Sequence, residues 1–188
     1  MGIFEYVSVL TSIIIGLGLT VLLRGVSVLI QHPRRAKADW THLLWTLYVF
    51  QSLIWWWWFQ FRLDGVAWTS TLYLFVVLYA VVAYLMCAVL FPTDIEGYDG
   101  YNDYFMSRRR WFFSLLIASV GIDFIDTALK GTEYFASLGL EYPVSQSVSA
   151  GLYALGIYSA NHRVHRLIVV VALMYQIAWS LRDVGAAG

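Results

Sequence analysis

The feature that constrains this chain most is the unbroken apolar run at its start, Ile3 to Ile30. A bilayer's hydrocarbon core takes about 20 residues of helix to cross, so the run is long enough to span it. One side of that helix differs from the rest. It carries Glu5, Ser8, Ser12, Gly16 and Thr20, and at its far end Arg24. At about 100° per residue, Glu5 through Thr20 fall within about a third of the circumference, with Arg24 just beyond. A membrane helix with a polar, small-residue stripe has something other than lipid to face.

Five more runs follow. With the first at about 4–30, they lie at about 40–61, 66–91, 111–129, 143–160 and 164–181. Soluble domains carry about 25% charged residues; here the share is 13%, against 60% hydrophobic, which leaves little chain for a soluble domain. Pro33, Pro92 and Pro143 fall at or just outside the run boundaries, where a missing N–H costs least. A membrane barrel would show segments of about ten residues with alternating polarity, and these runs do not alternate. Helices are the other way to satisfy backbone groups in lipid. The expected fold is all-α: a polytopic bundle of six transmembrane helices in one domain spanning 1–188.

Charge orients the bundle. Arg24, Arg34, Arg35, Lys37, Arg108, Arg109, Arg110, Arg163 and Arg166 fall on one side of the six-helix arrangement, and only Arg62, Lys130 and Arg182 on the other. The positive-inside rule puts the larger group in the cytoplasm and both termini outside, in a multi-pass protein of the plasma (inner) membrane. No basic residue precedes the first run within the sequence, so that run does not read as a cleaved signal. Tryptophans gather near both sets of helix ends, as amphipathic rings do at headgroup depth. Trp55 to Trp58 circle their helix, and belt plus packing explains them better than an aromatic cage. The longest connection, Pro92 to Arg110, starts acidic and ends in Arg108-Arg109-Arg110, which could meet anionic lipid headgroups. Tyr98, Tyr101, Phe105 and Trp111 suggest that it lies partly on the membrane. Zero net charge argues against a nucleic-acid partner.

Chemistry concentrates in the fourth run. Asp123 and Asp126 share a helix face, and Lys130 follows Asp126 by four residues, the favourable acid-then-base order. A carboxylate at such depth is expensive in lipid and should face the bundle interior. If the first and fourth runs pack together, Glu5, Asp123 and Asp126 form an acidic mouth, with Ser8, Ser12 and Thr20 lining a path toward Arg24. Arg24, Arg62 and Lys130 are the charge partners. Ser145, Ser149, Gly156 and Ser159 read as a close-packing face, and Gln51, Gln60 and Gln176 as bonds between helices. His162 and His165, with His42 near, are weak metal candidates; no cofactor is strongly implied. No G-x-S-x-G or phosphate-loop pattern occurs, so the residues do not favour an enzyme.

Three functions follow in order. The first is an ion- or proton-conducting channel or small transporter with an outer carboxylate site. The second is a membrane scaffold or sensor that binds a partner helix or lipid. The last is a membrane enzyme with a cytoplasmic histidine metal site. Besides the bilayer, the expected partner is a second copy in a homo-oligomer.

Overall fold

The computed structural model describes residues 2–32 and 37–186, the side chains of 183–186 excepted. Arg34 and Arg35 of the basic side lie outside the described residues. The elements are α1 (Ile3–Gln31), α2 (Trp40–Phe59) running into a 3-10 turn (Gln60–Leu63), α3 (Ser70–Leu90), α4 (Tyr101–Leu129), a short α5 (Thr132–Ser137), α6 (Glu141–Tyr158) and α7 (His162–Ala186). No strand occurs among the described residues. Four helices are long and apolar enough to cross a membrane: α1, α3, α4 and the His162–Arg182 part of α7. The protein is all-helical and compatible with a membrane helical bundle.

Helix starts follow side-chain caps. Asp39 accepts from the His42 amide and opens α2, and Thr69 accepts from the Leu72 amide and opens α3. The third run therefore becomes helical only after Thr69, later than expected.

The fourth helix departs most from expectation. It begins at Tyr101, so Arg108, Arg109 and Arg110 ride on helix and not in a loop. Gly100 makes this start. Its φ of +138° is one that L side chains rarely adopt, and an added Cβ would stand 2.9 Å from Lys37 Cβ and O. The Tyr101 amide donates to the Lys37 carbonyl, pinning the α4 start to the α1–α2 connection. Tyr101 and Phe105 consequently turn inward and are buried, not laid on the membrane; Trp111 is exposed.

Helix α1 buries Val7, Thr11, Ile15, Gly18, Leu22, Gly25 and Leu29, steps of four and three that make one stripe. This stripe packs chiefly on α3 and less on α2. The approach is close: a Cβ on Gly25 would stand 2.2 Å from the Phe91 ring, and one on Gly18 3.2 Å from Cys87 Sγ. The most extensively packed pairs are α1 with α3, α3 with α4, α4 with α6 and α2 with α7. The expected pairing of the first and fourth runs is not among them, because α3 takes the apolar face of α1.

At the end of the bundle holding His32, residues 37–39 and the 91–100 and 159–161 connections, called the basic end, the interior is filled with rings. Trp45, Phe105, Phe112, Phe113 and Tyr153 are buried there with His42 and His165. Trp45 meets Phe112 and Phe113 edge-on at 5.1 and 5.3 Å. Gly156 lets α6 approach α4; a Cβ there would be 2.6 Å from the buried Phe113 ring.

Candidate binding cavity

Toward the opposite end the rings give way to a cavity of about 280 Å³ among α2, α3, α4, α6 and α7, with Tyr134 and Leu138 of the α5 segment at its edge. Its aromatic wall includes Trp55, Trp56, Phe59, Tyr79, Tyr153 and Trp179. Trp56 leans on Tyr79 at 4.8 Å, and Trp179 meets Phe59 at 5.4 Å and Trp55 at 6.0 Å. The tryptophan quartet is thus divided: Trp55 and Trp56 line the cavity, while Trp57 and Trp58 are exposed.

Asp123 projects into this cavity. Tyr79 Oη donates to Oδ1 at 3.1 Å; Tyr142 Oη donates to Oδ2 at 2.8 Å, and Gln146 Nε2 to the same oxygen at 2.5 Å. Tyr142 Oη also lies 2.9 Å from Thr127 Oγ1. Three neutral donors from α3 and α6 therefore hold the carboxylate of α4. Among the described residues, no cationic group lies within ion-pair distance of it.

Asp126, one helical turn on, has a different environment. Its carboxylate is 1% exposed and paired with Lys130 Nζ at 2.5 Å. Burial and pairing together make this a closed structural contact. The buried Gln60 at the end of α2 lies beside the same carboxylate. Arg62, expected as a charge partner, instead places its guanidinium 4.2 Å over the Tyr134 ring at the cavity edge.

The rim carries a second ion pair. Arg182 of α7 grips Glu141 of α6 through both nitrogens, at 3.0 and 2.5 Å, and Tyr175 Oη donates to the same carboxylate. The Arg182 hydrogen bonds hold the Glu141 carboxyl below its usual range. Deeper in, Gln176 Nε2 donates to Ser52 Oγ and Gln51 Nε2 to Ser180 Oγ, tying α7 to α2. These are the inter-helix amide bonds expected of Gln51 and Gln176. Tyr48 and Tyr153 hydroxyls share a bond of 2.6 Å.

The rest of the expected site is elsewhere. Glu5 is exposed and its carboxylate accepts from the Gly2 amide at the start of α1. Ser8 and Thr20 bond carbonyls of their own helix, and Ser12 both does so and accepts from the Trp57 indole N–H. Gly16, Thr20 and Arg24 are exposed. The stripe therefore runs along the outside of the bundle, and α3 separates it from Asp123. His42 and His165 are buried, each with Nε2 at a backbone carbonyl, Leu90 and Ser159 respectively, whereas His162 is exposed. No group of three metal-ligating side chains occurs among the described residues.

Tyr79, Tyr142, Gln146 and Gln176 are site residues that a search for carboxylates passes over. Tyr142, Ser145, Gln146, Ser149 and Tyr153 form a polar face on an apolar helix at helical spacing. That face is the signal; Ser145 and Ser149 alone read as packing. Comparison with known proteins finds no matching family model, no matching curated protein and no matching solved structure.

Proposed function

We propose that the protein is a small transporter of the plasma membrane, crossing it six times, that binds a cation or proton at Asp123. In this reading α2 and α6 also cross, the basic end lies in the cytoplasm, and both termini and the Asp123 cavity lie outside. Counting basic residues over the described chain and its connections supports that orientation. The tryptophans of α2 suit a helix that ends at a headgroup boundary.

One observation carries the reading: an ionisable group within an apolar helix, facing a largely aromatic cavity, satisfied by neutral donors and unmatched by a cation. A carboxylate there is costly at about 2.5–3.5 kcal/mol near the bilayer centre, so simple packing would favour its replacement. The plug of Trp45, Phe112, Phe113 and Tyr153 beneath the cavity favours a carrier that closes and opens by turns over a continuously open channel. The proposed pathway therefore centres on Asp123, with Asp126 and Lys130 as its supporting pair. Glu5, Ser8, Ser12, Thr20 and Arg24 belong to an exposed face that suits the expected homo-oligomer.

The test is flux of protons, sodium or potassium in proteoliposomes. Asp123→Asn should reduce it by about tenfold or more, the effect of removing one charged contact, while Glu5→Gln should leave it unchanged. Equal flux in wild type and Asp123→Asn would sink the proposal.

A further inference from the structure

A second recess adjoins the cavity between α6 and α7. Helices α6 and α7 are joined at the basic end by the 159–161 connection and at the opposite end by Glu141–Arg182. Between these two ties they touch sparingly, and a groove of about 400 Å³ lies there. Val144, Val148 and Leu152 from α6 and Val171 and Ala172 from α7 give it apolar walls, while Ser145, Ser149 and Glu141 add polar groups. Val144, Val148 and Val171 are also exposed on the outer surface of the bundle. Gln146, Tyr153 and Gln176 are among the residues that line both the groove and the cavity, and Gln146 is one of the donors to Asp123. Gln146 thus stands between the groove and the carboxylate, and Asp123 itself lines only the cavity.

Charge and shape identify the occupant. Of the charged groups lining the cavity, Lys130 is matched by Asp126 and Glu141 by Arg182. Asp123 is left as the unmatched charge, and it is negative. Rings of Trp55, Trp56 and Trp179 stand on the same cavity, a surrounding that favours an organic cation. The groove then accommodates a hydrocarbon chain, of a volume too narrow for a helix of about 10 Å diameter.

We infer that the substrate class is lipophilic cations: amphiphiles with an ammonium head at Asp123 and a hydrocarbon chain in the α6–α7 groove, entering sideways from the bilayer. This rests on the cation-binding reading of Asp123 and adds the chain, the portal and the direction of entry.

The experiment is equilibrium binding of radiolabelled dodecyltrimethylammonium to the full-length protein in detergent, with ligand expressed as its mole fraction in the micelle. The expected result is saturable binding, about one per chain, that falls by about tenfold or more in Asp123→Asn. Tetramethylammonium should compete weakly, and dodecanoate, with a comparable chain and the opposite charge, should not compete. Val148→Trp should fill the groove and weaken the long-chain cation by about tenfold while leaving competition by tetramethylammonium unchanged. If Val148→Trp is neutral and both cations bind equally well, the portal is wrong while the cation site stands. If Asp123→Asn binds like wild type, or dodecanoate competes equally, the lipophilic-cation inference falls, and ion flux in Asp123→Asn decides separately whether Asp123 carries a proton or an inorganic cation. A dimer with no saturable binding would give the groove to a second copy. Should Asp123→Asn fail to fold, the Val148→Trp variant and the competition series on wild type decide alone.

Discussion

Asp123 and Asp126 show how far apart two like residues on one helix face can be in role. Both come from the same helix and are separated by one turn. Asp126 is sealed against Lys130, whereas Asp123 opens on a cavity and takes its hydrogen bonds from neutral groups. Breaking the sealed pair leaves a buried charge alone, which costs about 3–5 kcal/mol, while replacing both members by apolar residues is often neutral or stabilising. Lys130→Met should therefore lower thermal stability in detergent strongly, and Asp126→Leu with Lys130→Met should recover most of the loss. A single variant as stable as wild type would show the pair to be exposed to water. Tyr142→Phe removes one donor from Asp123 without touching the pair, and should cost about 1 kcal/mol.

At the scale of the helix, α1 has two faces with opposite tolerance. Its inner stripe brings Gly25 under the Phe91 ring, so Gly25→Val overpacks the α1–α3 seam by about 1–3 kcal/mol. Its outer row includes Gly16, where a Cβ would meet nothing within 4 Å. Gly16→Val should leave the unfolding temperature of the single chain unchanged. If instead Gly16→Val is the damaging change and Gly25→Val is mild, the helix is turned the other way and its polar stripe does face inward. Of the α1 glycines, Gly18 and Gly25 set the close approach, because they fall on the four-and-three spacing of buried positions. Ser8, Ser12, Gly16 and Thr20 share a regular spacing too, and spacing alone does not say which row meets a neighbour.

For the whole molecule, the reading of six crossings is tested by labelling from each side. Cys87 is fully buried, so the wild-type chain should stay silent to a membrane-impermeant maleimide. Asp64→Cys, at an exposed position between α2 and α3, should label on intact cells. Asn161→Cys, exposed between α6 and α7, should label only after lysis. Label at both sites from the same side would remove one crossing from the intervening helices. The reverse pattern would invert the molecule and place the Asp123 cavity in the cytoplasm.

The sequence by itself determined the all-helical class and the order of the six long helices, but not the short α5. Apolar runs too long for a soluble core, with prolines at their edges, demand helices, since lipid offers no other partner for backbone groups. It also singled out Asp123, Asp126 and Lys130, because charge inside an apolar run is expensive wherever the helices go. Even the start of α4 was locally written, in a glycine at a positive φ, though its effect depends on Lys37 lying across from it. The tertiary structure decided which helices are neighbours. By placing α3 between α1 and α4, it sent Glu5 and the Ser8–Thr20 row to the surface and gave Asp123 partners from α3 and α6. That choice rests on the fit of Gly18 and Gly25 against Cys87 and Phe91, and of Gly156 against Phe113. Such shape complementarity between distant segments leaves no periodic mark in either one.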